Sequence, residues 1–149
     1  MNRTRYTVIP RTLIFVFHGQ ELLLIRKSSW GGRYNALGGH IEPGEDILTS
    51  AQRELKEETG ILPAKINFCG NIMIDNGNKL GISIFLFKAF SKTKDFQNSD
   101  EGELLWVGVN QLWQIDTFSD LPALTDKLLG WRPCDEPILI HYDKEVTYD

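Results

Sequence analysis

Residues 39–61 read GHIEPGEDILTSAQRELKEETGI, and their pattern decides the fold. After the Pro43-Gly44 turn signal, residues 46–59 contain neither Gly nor Pro and are rich in helix formers. A helix is expected there, with Asp46 as N-cap and Gly60 as C-cap. At about 100° per residue, with Ile47 at zero, Ile47, Ala51, Leu55 and Leu48 fall at roughly 0°, 40°, 80° and 100° and form one apolar stripe. Glu54, Glu58 and Glu57 fall at roughly −20°, 20° and −80°, along the border of that stripe. Gln52 and Lys56, at roughly 140° and 180°, take the water side.

Glu54 with Glu57 and Glu54 with Glu58 are like-charge pairs at i,i+3 and i,i+4. Each costs a few tenths of a kcal/mol on an isolated helix, and partial burial raises that cost. Two readings of the trio stand. One is a solvated acidic face; the other is a site where crowded carboxylates share a hard, oxygen-seeking divalent ion, Mg²⁺ or Mn²⁺. The helix dipole gives the solvated reading no support, because Glu57 and Glu58 sit near the C-terminal end, where negative charge is disfavoured.

Outward from this helix, residues 12–17 and 21–27 are apolar runs around His18-Gly19-Gln20, a hairpin of two buried strands. Residues 34–41 read as a short strand broken at Gly38-Gly39. Residues 65–74 and 80–90 form a second hairpin around Asn76-Gly77. Residues 104–109 make a further strand, and residues 121–129 a helix with Pro122 in its first turn. The polar stretch 91–102 is a long loop within one domain spanning 1–149. The expected class is α+β, an α/β/α sandwich with a mixed sheet between helices.

The chain has 149 residues, 42% hydrophobic, enough for one core without covalent staples. Its net charge of −4 argues against a nucleic-acid polymer as partner. No apolar run is long enough to span a membrane, and the first residues lack a signal core. Cys69 and Cys134 lie in no CxxC or Cys/His cluster, which favours reduced thiols and a cytoplasmic protein. No GxxxxGK[ST] loop is present, and the paired glycines do not form GxGxxG.

Residues 39–61 match the Nudix box at every fixed position: Gly, five residues, Glu, seven residues, then Arg-Glu-Leu-x-Glu-Glu-x-Gly-Ile. The flanking hairpins and the acidic loop before Trp106 also resemble the Nudix fold. The resemblance implies that Glu57 and Glu58 are the principal metal ligands. Glu54 would be a further ligand or the group that orients or deprotonates water, and the Gly39 carbonyl a backbone ligand. Arg53 would pair with Glu45 and steady the loop. Another carboxylate arrives from across the site in similar enzymes, and here either Glu101 or Glu103 is the candidate. Such chemistry has a physical logic, since an acidic site approaches a polyphosphate only through bridging cations, which also polarise phosphorus and acidify water.

Residues 33–39 are similar to a stretch in Nudix hydrolases of oxidised purine nucleoside triphosphates, where an Asn hydrogen-bonds the base. Asn35 is then a base reader; the alternative is an Asn that closes the loop before the glycines. Residues 118–122 resemble a segment that closes the base pocket, which makes Phe118 and Asp120 base contacts, although Asp120 also fits as a helix N-cap. The SQPWPFPxS tract of NADH-cleaving relatives is absent, as is the Pro of ADP-ribose-cleaving ones. The four tryptophans are assigned to core, and His18, His40 and His141 have no metal-ligand spacing. The expectation is a Mg²⁺-dependent pyrophosphohydrolase, monomer or homodimer, of a small-molecule nucleotide. The substrate would be a purine nucleoside triphosphate such as 8-oxo-dGTP, released as monophosphate and pyrophosphate. A hydrolase of a dinucleotide or nucleotide sugar, or a nucleotide sensor without turnover, are the rivals.

Overall fold

The structure is a computed structural model and describes residues 5–143. Eight strands form one mixed sheet: β1 (Thr7–His18), β2 (Glu21–Arg26), β3 (Tyr34–Asn35), β4 (Leu37–His40), β5 (Lys65–Asp75), β6 (Leu80–Phe90), β7 (Glu103–Gly108) and β8 (Ile138–Tyr142). Helix α1 (Ile47–Thr59) follows β4, and helix α2 (Leu121–Gly130) precedes β8. The main strand order is β3-β2-β1-β6-β5-β8, with β4 also on β1 and β7 on β2. Pairs β1·β6 and β5·β8 are parallel; the others are antiparallel.

Both faces of this sheet are covered, which explains the unbroken apolar runs: residues 14–17 and 22–25 are fully buried. Alternation of side chains along β1 shows what covers each face. Thr12 pairs with Gly39, and a Cβ on Gly39 would run into the Glu54 carboxylate, so α1 lies on the Thr12 face. Phe15, three residues on and therefore on the other face, pairs with Lys88, whose ammonium donates to Leu129 O of α2 at 2.9 Å. The two helices thus sandwich the sheet, as expected for the class.

Local chemistry sets the bounds of α1. The Asp46 carboxylate accepts from Thr49 N at 2.8 Å, and Gly60, at φ 71°, closes the helix by donating to Lys56 O at 3.0 Å. Leu48, expected on the buried stripe, is instead 42% exposed, because α1 packs chiefly on β4 and β1 and leaves the outer edge of its first turn to water.

Three other expectations are corrected. Strand β1 begins at Thr7, five residues before its apolar run, because its first half is held by the parallel ladder to β6 rather than by burial; Ile9 there is 55% exposed. The break in residues 34–41 falls at Ala36 and not at the glycine pair, which lies within β4. At Gly38 (φ 146°) a Cβ would collide with the Thr12 carbonyl, so only glycine lets β4 approach β1 here. Strand β8 was not anticipated. No helix among the described residues is long and apolar enough to cross a membrane.

Candidate active site

Helix α1, strand β4 and the 91–102 loop meet at a cleft of about 370 Å³ whose walls include Lys27, Trp30, Gly39, Arg53, Glu54 and Glu101. Oxygens of Glu54, Glu58 and Glu101 lie within 4.8 Å of one another. Glu54 and Glu58 come from adjacent turns of α1, and Glu101 from the loop.

Glu58 is fully buried. Its Oε1 accepts the Gly38 amide at 2.9 Å, while the buried Oε2 has the Lys27 ammonium, 3.1 Å away, as its one partner among the described residues. Burial pushes its carboxyl up to about 7, against the opposing pull of Lys27 and the Gly38 amide. Glu54, 8% exposed, is raised by burial as well, with Arg53 acting against it. Two buried carboxylates with an under-satisfied oxygen and a third aimed beside them form a hard-oxygen donor set of the kind Mg²⁺ or Mn²⁺ takes. The residues present therefore fit a divalent cation.

Arg53 organises the rim of this group. Its Nε and Nη2 grip Glu45 at 2.6 and 2.9 Å, Nη2 also donates to His40 O at 3.1 Å, and Nη1 reaches Glu54 at 3.0 Å and Glu57 at 3.2 Å. The Arg53 guanidinium, together with the Glu42 amide, brings the Glu45 carboxyl down to about 2. The loop before α1 is thereby fastened to the helix that follows it.

Some expected residues lie outside the group. The Glu57 side chain is 49% exposed and rests on Arg53. The two loop candidates are separated, since Glu101 joins the carboxylates whereas Glu103 opens β7 and pairs with Arg26. The Gly39 carbonyl accepts a long bond, 3.5 Å, from Thr12 Oγ1.

The base-side candidates sit nearby. Asn35 is buried, and its Oδ1 accepts the next amide, Ala36 N, at 2.9 Å. It borders a cavity of only about 20 Å³ with Arg11, Thr12, Trp30 and Ile84. Phe118 is 3% exposed, edge-on to Trp30 at 5.3 Å and covered by the Arg33 guanidinium at 4.4 Å. Asp120 occupies the N-cap position of α2 without a side-chain cap bond. Its carboxylate instead engages Tyr142 of β8, whose phenol is pushed up to about 12 by burial first and Asp120 second.

Lys27 was missed by sequence reading. It stands one residue past β2, where a lysine looks like any solvated strand end, and only the fold reveals Glu58 beneath it.

Comparison with known proteins places this arrangement. The sequence profile of the NUDIX domain matches residues 8–128. An oxidized purine nucleoside triphosphate hydrolase from Danio rerio is 31% identical over 113 residues, 70% of this chain and 72% of that protein. An NAD-capped RNA hydrolase, NudC, from Stutzerimonas stutzeri is 40% identical over 53 residues, 35% of this chain but 19% of that protein. A mutator MutT protein from Bacillus halodurans superposes with a TM-score of 0.77 at 25% identity, covering 94% of both chains. Profile, relatives and fold agree over most of its length, and the chain belongs to the NUDIX family as one of its hydrolases.

Proposed function

We propose that this chain hydrolyses a purine nucleoside triphosphate, with an oxidised purine as the leading candidate, to nucleoside monophosphate and pyrophosphate. The observation that carries the reading is the convergence of Glu54, Glu58 and Glu101 around the under-satisfied Glu58 Oε2. Glu54, Glu58 and Glu101 hold a divalent cation, with Glu57 and the Gly39 carbonyl as further ligands. A bound Mg²⁺ or Mn²⁺ supplies charge neutralisation for the polyphosphate and polarisation of phosphorus.

The protein's own groups do the rest. Glu54, one of the carboxylates lining the cleft, orients the attacking water. Lys27, on the cleft wall, offers its ammonium to phosphate oxygens. Arg53 and Glu45 keep the loop before α1 in place. Asn35 reads the base, and because its Oδ1 is engaged by Ala36, it reads with the Nδ2 donor. Phe118 and Asp120 close that side. The purine assignment is supported by the Danio rerio relative's name. The NudC match covers only 53 residues and 19% of that protein, so it gives less support to a substrate assignment.

The test is product analysis in ¹⁸O water with Mg²⁺ across dGTP, ATP, 8-oxo-dGTP, NAD and a diadenosine polyphosphate. Monophosphate plus pyrophosphate is expected, with kcat/KM for 8-oxo-dGTP at least about tenfold above dGTP, a discrimination of the size one hydrogen bond gives. Faster cleavage of NAD or the dinucleotide would replace the substrate assignment. Tight nucleotide binding with no turnover on any of them would replace the enzyme by a sensor.

A further inference from the structure

Helix α1 ends with carbonyls that have no partner further along the helix, and the 91–102 loop supplies partners for two of them. Gln97 N donates to Thr59 O at 2.7 Å, and Ser99 Oγ donates to Glu58 O at 3.3 Å. The same hydroxyl oxygen accepts the Glu101 amide at 3.3 Å. One side chain therefore joins the backbone of Glu58 to the backbone of Glu101, two residues whose carboxylate oxygens lie within 4.8 Å of each other. Three residues beyond Ser99 the loop is fixed again. Ser99 and Gly102 form a bridge, and a Cβ on Gly102 would meet Arg26 O at 2.7 Å, so the backbone is pressed against β2. Glu101 is thus held at the crest of a short turn pinned at both feet.

We propose that Ser99 is a positioning residue of the carboxylate site: by bridging Glu58 O and Glu101 N it sets the spacing between the two carboxylates, and with it the affinity for a divalent cation. This inference rests on the reading above that Glu101 is a ligand. Ser99 touches neither substrate nor cation. Its hydroxyl acts as a donor on one side and an acceptor on the other, a combination that alanine lacks and threonine keeps. Loss of the two bonds leaves the turn free to carry Glu101 away from Glu58.

The experiment measures Mn²⁺ binding without substrate, by electron paramagnetic resonance of the free ion, together with the melting temperature in EDTA. Ser99→Ala should weaken Mn²⁺ binding at least about tenfold, on the scale of the hydrogen bonds lost, with the EDTA melting temperature lowered by no more than a few degrees and Ser99→Thr close to wild type in both. If Ser99→Ala binds Mn²⁺ as wild type does while Glu101→Gln weakens it, Ser99 has no positioning role and the ligand reading of Glu101 survives. If Glu101→Gln also leaves Mn²⁺ binding intact, that reading itself fails. Equal weakening in Ser99→Ala and Ser99→Thr, with a lowered melting temperature, would show a loop that has come apart and would overturn the proposal.

Discussion

Helix α1 turns Glu54 and Glu58 towards the sheet, where α2 turns Leu121, Leu124, Thr125 and Leu128. Their ends differ in the opposite sense. The first is capped by Asp46 and Gly60, and its last carbonyls, Glu58 O and Thr59 O, also take donors from the 91–102 loop. At the start of α2, Asp120 is drawn off to Tyr142; at its other end Trp131 N donates to Leu128 O, and Lys88 reaches from β6 to Leu129 O at 2.9 Å and, one residue past the helix, to Trp131 O at 2.8 Å. Caps at both ends, local and from the loop, help α1 to carry charge on its buried face, since its existence does not depend on that face alone. The other helix leans more on the sheet, and its face is ordinary core.

The sharpest way to break this contrast is Glu58→Gln. Turnover with Mg²⁺ should fall by at least about 1,000-fold, the loss expected when a metal ligand of a hydrolase is neutralised. Stability should move the other way. The Glu58 carboxyl rises from 4.5 to about 7 in the folded state, so the burden of its buried charge is absent below pH 4.5 and complete above pH 7. That shift corresponds to on the order of 3 kcal/mol. In EDTA at pH 8, Glu58→Gln should melt several degrees above wild type, and wild-type stability should fall more steeply between pH 4.5 and 7 than the variant's, in which the raised Glu54 remains.

Next comes Arg53→Leu, which cuts the ties to Glu45, Glu54, Glu57 and His40 O at once. A drop of roughly 100-fold in kcat/KM is expected from misplaced groups, measured alongside the melting temperature. Leu128→Ala on α2 should do the reverse, costing about 2–5 kcal/mol in urea unfolding while specific activity of the folded protein holds. The smallest effects test the caps: Asp46→Ala should cost about 1 kcal/mol, and Asp120→Ala measurably less at the helix start, because no cap bond is lost there.

Legibility in the sequence followed the same division. Helix α1, its caps and both hairpins were readable because turn residues and apolar runs specify them within a few positions. Strand β8 was not, since among the described residues it is an edge strand that pairs only with β5, and its Leu139 is 75% exposed. Box spacing indicated Glu54, Glu57 and Glu58 as a set, but it could not show that Arg53 draws Glu57 outward, or that Arg26 and not the site takes Glu103. Phe118 is invisible as core until Trp30 is seen against it. Ser99 and Lys27 carry no motif at all, and their places come from long-range contacts to α1.

The parallel ladder between β1 and β6 joins Thr7 to Leu80 and runs on to Phe17 and Phe90. Chain ends so distant meet slowly, after local hairpins and helix are already formed. The cleft takes Lys27, Trp30, Gly39, Arg53 and Glu54 from segments between those two strands and Glu101 from the loop that follows β6, so its assembly belongs to the late phase of refolding. Helical circular dichroism should return first, and Mn²⁺ uptake only with the slowest kinetic component; simultaneous recovery would mean that the box folds as an autonomous unit.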